Sequence, residues 1–246
     1  MRDSELPAIR RLPLFRTMSD ENFLSLTRAA YVQTFPPQVL LIEEGAHPDF
    51  LHVVMEGAVE LFAGWHKRET TMAVVRPVST FILAACIKDA PYLMSARTLE
   101  KTRIILLPVG DLHSIFRRDP EFAMATVDEL AACYRRIVRQ TKNLKLRSAR
   151  ERLAAYIMRK SAEAGDSVSF VLPVEKRLLA SFLSMTPESL SRAMRSLQDD
   201  GAKIDGQRVI ITDRAALEAL ARPSILIDGP DSENSEDHSN WSGAAS

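Results

Sequence analysis

Cysteine is scarce in this chain: two residues in 246, Cys86 and Cys133, far apart in sequence. One chain with two separated thiols can build neither a disulfide framework nor a Cys-based metal or iron–sulfur site. Both cysteines lie in apolar surroundings and read as buried thiols acting as small hydrophobes. Long apolar runs are also missing. No stretch approaches the roughly 20 apolar residues that span a bilayer, and the opening Met1-Arg2-Asp3-Ser4-Glu5 lacks the apolar core of a secretory leader. The expectation is a cytoplasmic protein with no membrane partner. Net charge is absent as well, with 32 basic residues against 32 acidic, which argues against binding nucleic acid through bulk electrostatics alone. A Gly-rich phosphate loop, a metal-spaced His or Cys cluster and a nucleophile motif are all lacking, so an enzyme is not expected.

The charge that is there is unevenly placed. From Asp228 the chain reads Asp-Gly-Pro-Asp-Ser-Glu-Asn-Ser-Glu-Asp, acidic and small, and is expected to be disordered. Arg135, Arg136, Arg139, Lys142, Lys145, Arg147, Arg150 and Arg152 crowd the middle. Without its tail the chain is mildly basic, which suits a sequence-specific binder of modest non-specific affinity.

Ser19-Asp20-Glu21-Asn22 opens a capped helix, and the texture changes at Tyr31. Short β-rich segments at 39–42, 51–55, 58–62, 70–75 and 103–107, with Gly45 and Gly57 at turns, predict a small barrel or jelly roll. A helix over 120–146 follows. Along it Ala123, Val127, Leu130, Tyr134, Ile137, Thr141 and Leu144 alternate spacings of four and three, a heptad seam that points to parallel pairing of two chains, the alternative being a helix that packs on its own barrel. A second helix is expected from about residue 149 to residue 164, with a hinge at Arg147-Ser148 where it meets the seam.

The most informative stretch comes next. After an amphipathic run at 175–183, Thr186 is placed to cap a helix by accepting from the N–H of Ser189, and Pro187 suits its first position. Leu190, Met194 and Leu197 then share one face, while Glu188, Ser191, Arg192 and Arg195 share the other. Arginine can donate a parallel pair of bonds to guanine, and glutamate accepts from the amino group of cytosine or adenine. In a helix-turn-helix the first turns of the second helix reach base edges in the major groove. The bland reading of the same residues is a surface ion pair between Glu188 and Arg192. Downstream, Asp199-Asp200-Gly201 ends the helix, and 202–211 reads as a hairpin around an Asp-Gly turn. Lys203 and Arg208 on that wing are candidate phosphate contacts.

In this order, barrel, long paired helix and winged helix-turn-helix, the chain resembles the CRP/FNR superfamily of bacterial transcription regulators, from Leu14-Phe15 to about Ala221. The stretch from Glu44-Gly45 through Glu56-Gly57 to Val59 looks like the family's glycine-spaced hairpin, and Leu179-Ala180 with Ser191-Arg192 fits its helix-turn-helix. Ser184 stands where the family's inter-helix turn usually has glycine. The resemblance implies an α+β fold: an N-terminal cyclic-nucleotide-binding-like β jelly roll over 1–118, a dimerisation helix over 119–147, a winged helix-turn-helix over 148–222, and an acidic tail over 223–246. Val127, Leu130, Tyr134, Ile137, Thr141 and Leu144 would pair the two chains. Thr186, Glu188, Ser189, Ser191, Arg192 and Arg195, with Lys203 and Arg208, would face double-stranded DNA.

Glu188, Ser191 and Arg192 reproduce the Glu-x-x-Ser-Arg pattern of the FNR, FixK and nitric-oxide-responsive NNR/DNR branches. The cAMP-responsive branch carries an arginine where this chain has Pro187. By resemblance the half-site is TTGA(T) rather than TGTGA, RNA polymerase is a partner, and the signal is low oxygen or nitrogen oxides. Nucleotide-binding members hold ribose and phosphate with Gly-Glu and Arg-Ser; Phe81-Ile82-Leu83-Ala84-Ala85-Cys86 and Met94-Ser95-Ala96 occupy the corresponding positions here, so cAMP is not expected. An iron–sulfur cluster is not expected either. Some relatives use haem, for which His47, His52, His66 and His113 are candidate ligands, although an ordinary surface or satisfied histidine accounts for each. The competing function class is a ligand-sensing module whose winged helix makes protein contacts only.

Overall fold

A computed structural model describes residues 5–66, 68–172 and 176–229, which form two compact units, one up to Cys133 and one from Tyr134. The first unit opens with three short helices, α1 (Leu6–Arg10), α2 (Pro13–Arg16) and α3 (Asp20–Arg28). Strands β1 (Tyr31–Phe35), β2 (Leu40–Ile42), β3 (Phe50–Glu56), β4 (Val59–Trp65), β5 (Arg68–Val75) and β6 (Ser79–Phe81) follow. Then come α4 (Leu83–Lys88), β7 (Ser95–Thr98), β8 (Thr102–Pro108) and α5 (Val109–Arg118). The strands make two antiparallel sheets in the orders β1-β8-β3-β6 and β2-β7-β4-β5.

Alternation along the strands divides the core in two. Leu51 and Val53 of β3 pack with Ile105 and Leu107 of β8 under the helices, against Leu14, Phe15, Leu112 and Phe122. Val54 joins Val59, Leu61, Phe81, Ala96 and Ile104 in the layer between the sheets. This is the jelly roll that the spacing of the β-rich segments predicted. At the β3–β4 turn Gly57 has φ +84°, and a Cβ there would lie 2.5 Å from the carbonyl oxygen of Lys101, so the hairpin requires glycine.

Helix α6 runs over Pro120–Leu146, as its heptad pattern predicted. Asp119 starts it: one carboxylate oxygen accepts from the N–H of Phe122 at 3.0 Å, the other from Ser19 N and Asn22 Nδ2 at 3.0 and 2.9 Å. Burial pushes this carboxyl up, but the Asn22, Phe122 and Ser19 donors outweigh it and hold the pKa at about 2.

The second unit holds the distal half of α6, then α7 (Ala149–Glu163), β9 (Ser169–Val171), α8 (Lys176–Phe182), α9 (Pro187–Ser196) and a 3₁₀ turn (Leu197–Asp200). Strands β10 (Ala202–Asp205) and β11 (Arg208–Ile211), with helices α10 (Arg214–Ala221) and α11 (Ile225–Asp228), complete it. A single apolar cluster unites Leu153, Ile157, Leu179, Leu190, Met194, Leu197, Val209 and Leu217. Ser148 and Glu151 form a reciprocal capping box at the start of α7.

Several expectations are corrected. The hairpin loop is Gly206-Gln207, with Asp205 already paired to Arg208 in the ladder; Gly206 supplies the positive φ, +59°, that this tight turn requires. Structure continues past residue 222: Ser224 and Asp228 bracket α11 through Ser224 N–H to the Asp228 carboxylate at 2.9 Å. The tail from residue 230 lies outside the described residues, as does Glu175 at the start of the amphipathic run. At the Arg147-Ser148 junction, expected as a hinge, Arg147 is buried and both terminal nitrogens of its guanidinium are engaged by the Asp228 carboxylate and the Arg222 carbonyl. Cys86 is buried, but Cys133 is only half-buried on α6, its sulfur 3.9 Å from Glu129 Oε1.

Candidate nucleic-acid interface

Helices α8 and α9 form a helix-turn-helix whose geometry follows from four residues. Leu183, buried, ends the first helix; Ser184 turns the chain at φ +53°; and Met185 N–H bonds back to the carbonyl of Ala180 at 2.8 Å. Thr186 then caps α9, its hydroxyl oxygen accepting from Ser189 N–H at 3.1 Å. The left-handed backbone at Ser184 is the physical reason that a glycine suits this turn, since Cβ makes that conformation costly.

Leu190, Ala193, Met194 and Leu197 are buried, so α9 is fixed in the unit along one side. Glu188, Ser191, Arg192 and Arg195 are all exposed along the other. Among the described residues Arg192 forms no ion pair with Glu188; its Nη2 instead donates to Ser189 Oγ at 3.3 Å. The Glu188 carboxyl is held below its usual range, first by its own backbone N–H, then by the Thr186 hydroxyl, with Arg192 adding to both. It therefore presents an ionised acceptor at the helix start. Ser191 donates to the Pro187 carbonyl at 2.8 Å and keeps its lone pairs facing outward. The hydroxyl of Thr186 is spent on the cap and Ser189 is half-buried, which makes both of them supports for their neighbours. On the wing Lys203 and Arg208 are exposed, and Arg208 Nε donates to Ser169 Oγ at 3.3 Å.

Two residues that tie the helix-turn-helix unit together escaped the sequence reading. Arg152, in the first turn of α7, is buried, and among the described residues its acceptors are carbonyl oxygens alone: Arg147 at 2.7 Å, Leu183 at 2.9 Å, Leu144 and Ser184 at 3.4 Å. One guanidinium thus ties the end of α6 to the turn that leads into α9. Arg147 is the other. Their signal in the sequence was hidden among the eight basic residues that crowd the middle of the chain.

On α6, the seam residues Val127, Tyr134, Ile137 and Leu144 are 52, 68, 61 and 44 % exposed in the single chain, and Thr141 is exposed as well. Leu130 differs, being half-buried against the helix-covered core of the β-roll.

Inside the roll, the positions that correspond to a nucleotide-phosphate cradle are apolar or already engaged. Leu83 and Cys86 are buried, Ala96 is core, and the hydroxyl of Ser95 accepts from Glu44 N–H at 3.0 Å. Arg97, the nearest arginine in β7, lies on the opposite sheet face, where Glu60 and Glu69 bind it and Phe62 lies 4.2 Å beneath. These residues do not fit a phosphate. Of the candidate histidines, His47 and His66 are exposed, and His113 is half-buried with Nε2 2.7 Å from the Cys86 carbonyl. His52 alone is buried, its Nδ1 without a hydrogen-bond partner and its ring 5.1 Å from that of Phe81; burial lowers its pKa to about 4 against the raising effect of the Phe50 backbone. Among the described residues no group of three or more His, Cys, Asp or Glu side chains could hold a metal.

Residues 151–220 match the Crp-like helix-turn-helix domain, and residues 32–119 match the cyclic nucleotide-binding domain. A comparison with curated proteins returns no match. Among solved structures, a suspected cAMP-binding regulatory protein of Silicibacter pomeroyi is similar at 25 % identity and TM-score 0.55, over 90 % of this chain and 100 % of that one. FixK2 from Bradyrhizobium japonicum is similar at 19 % identity and TM-score 0.64, over 79 % and 98 % of the two chains. DNR from Pseudomonas aeruginosa is similar at 22 % identity and TM-score 0.50, over 89 % and 99 %. With its cyclic nucleotide-binding β-roll, long helix and Crp-like helix-turn-helix, the chain belongs to the CRP/FNR family of DNA-binding transcription regulators.

Proposed function

We propose that this regulator binds, as a homodimer, a palindrome of TTGA-type half-sites, and that it activates transcription through contact with RNA polymerase in the response to low oxygen or nitrogen oxides. The observation that carries the DNA part is the face of α9. A helix fixed on one side by Leu190, Met194 and Leu197 presents an ionised Glu188, a Ser191 acceptor and an Arg192 fork outward in its first turns. Those chemistries discriminate base edges, with Arg192 suited to guanine and Glu188 to an amino group. Arg195, Lys203 and Arg208 would hold phosphates beside them. The half-site and the physiological signal follow from the resemblance of Glu188, Ser191 and Arg192 to the FNR, FixK and NNR/DNR pattern.

Pairing rests on the exposed seam of α6. Val127, Tyr134, Ile137 and Leu144 form an apolar stripe at heptad spacing, and covering it with a second copy removes it from water. A two-fold axis through that seam would set two α9 helices on half-sites about one helical turn apart. No phosphate-bearing effector is proposed: a charged phosphate among Leu83, Cys86 and Ala96 would lack compensation. His52 holds a neutral imidazole in the roll, the form an axial haem ligand needs, but the DNA-binding reading requires no cofactor. Selection of bound duplexes from a randomised pool tests the proposal. TTGA half-sites in inverted repeat are expected; TGTGA half-sites, or no enrichment, would overturn it.

A further inference from the structure

The stretch from Arg222 to Gly229 is bound to the end of α6. Asp228 sits in a fork: its Oδ1 and Oδ2 accept from Arg147 Nη1 and Nη2, each at 2.7 Å, and Oδ2 also accepts from Ser224 N–H. The same Arg147 guanidinium donates to the Arg222 carbonyl at 2.9 Å and to Asn143 Oδ1 at 3.2 Å. One turn back along α6, Lys142 Nζ reaches the Leu226 carbonyl at 3.4 Å, and Arg139 Nη1 donates to the Gly229 carbonyl. Residues 139, 142 and 147 therefore hold the chain segment along the last turns of α6, with Asn143 bracing Arg147. They lie on the side of the helix away from the seam residues Ile137, Thr141 and Leu144. The Arg147 side chain is 6 % exposed, and a paired carboxylate offsets the cost of burying its charge more fully than carbonyl oxygens alone do. Among the described residues α6 supplies no carboxylate to it, and Asp228 does.

We infer that Asp228 is a positioning residue for DNA recognition, and that residues 222–229 act as a strap fixing the end of α6 to the unit that carries α9. The strap acts in series with Arg152, whose guanidinium joins the carbonyls of Leu144 and Arg147 to those of Leu183 and Ser184 at the entry to α9. Together the two arginines make the last turns of α6, the α7 start and the recognition turn one body. In the paired molecule proposed above, on which this inference rests, that body sets how far apart the two α9 helices stand. Its loss changes tolerance for half-site spacing, while each helix still reads its own half-site.

The test compares the full-length protein, Asp228→Asn, a chain ending at Arg222 and a chain ending at Gly229. Each is titrated by anisotropy on duplexes carrying two TTGAT half-sites at the preferred spacing, one base pair shorter and one longer, and on a duplex with a single half-site. Full-length protein and the chain ending at Gly229 are expected to prefer one spacing by about tenfold or more, as a rigid bivalent binder does. Asp228→Asn and the chain ending at Arg222 should compress that preference to about threefold or less, with single half-site affinity within about twofold of the parent. An unchanged spacing profile in both variants overturns the inference. If the parent itself prefers no duplex, the functional reading fails instead, and the strap is judged by amide exchange. Residues 140–148 must exchange faster in Asp228→Asn than in the parent; equal protection overturns the strap.

Discussion

Replacing Arg152 by methionine tests the clamp that connects α6 to the recognition turn. The arginine is 9 % exposed and its pKa is lowered by burial, so it is a cation held in the interior by carbonyl oxygens. Two of its hydrogen bonds, to Arg147 O at 2.7 Å and to Leu183 O at 2.9 Å, are short; the two at 3.4 Å add little. Hydrogen bonds from a charged donor contribute about 1.5 to 3 kcal/mol each, which puts the gross loss at about 3 to 6 kcal/mol. Methionine fills similar volume and removes the desolvation cost of the cation, which offsets part of that loss and leaves a net destabilisation of about 2 to 4 kcal/mol.

Native-state hydrogen exchange reads this unit by unit, which a single unfolding midpoint of a two-unit chain does not. Amides of α7 and α9 should lose protection in Arg152→Met, while those of β3 and β8 in the β-roll keep theirs. Arg152→Lys should fall between, because one ammonium cannot span carbonyls on both sides of the junction. A change below about 1 kcal/mol in α7 and α9, within the range of an ordinary surface substitution or close to it, would refute the assignment of Arg152 as a clamp.

Ser184→Gly should stabilise the second unit by about 0.5 to 1 kcal/mol, since relief of the left-handed backbone exceeds the extra freedom glycine gains on unfolding. A lower urea midpoint would contradict this. His52, with its pKa lowered from 6.5 to about 4, binds a proton less readily folded than unfolded. Its contribution is complete above pH 6.5 and drains away as pH falls towards 4, by about 3 kcal/mol in all. Stability of His52→Leu should therefore depend less on pH across that window, and parallel pH curves for the two proteins would sink the explanation. Arg192→Ala should cost about 1 to 3 kcal/mol on the cognate duplex and relax base preference at one position; equal weakening on every duplex would make it a phosphate contact.

What the sequence made legible were features written in local chemistry or in a period. The cap at Thr186, the cap at Ser19, the whole of α6 and the buried and exposed faces of α9 follow from side-chain type at fixed spacing. Five strands of the roll lie where β-rich segments between turn residues put them, whereas β1, β6, β7 and β9, three to five residues long, were not picked out. Helices α4 and α5 were not foreseen; the first is six residues long and flanked by left-handed Ile82 and Asp89, a conformation imposed by its surroundings. Long-range pairing was the other blind spot. Arg147 and Asp228 are 81 residues apart, and Arg152 reaches carbonyls 31 and 32 residues away. Nothing in a one-dimensional pattern separates such arginines from solvated neighbours. The Asp-Gly pair at 205–206 pointed to a hairpin and was right about its presence, but the ladder register put the turn one residue later.

The most direct test of the account is fluorescence anisotropy of the purified, effector-free protein on a duplex bearing TTGAT-N4-ATCAA, against TGTGA and scrambled duplexes at about physiological salt. Selective binding to the first duplex, lost when Glu188 and Arg192 are both replaced by alanine, is the predicted result. Equal affinity for all three duplexes, or selectivity that survives the double replacement, would contradict recognition by the exposed face of α9.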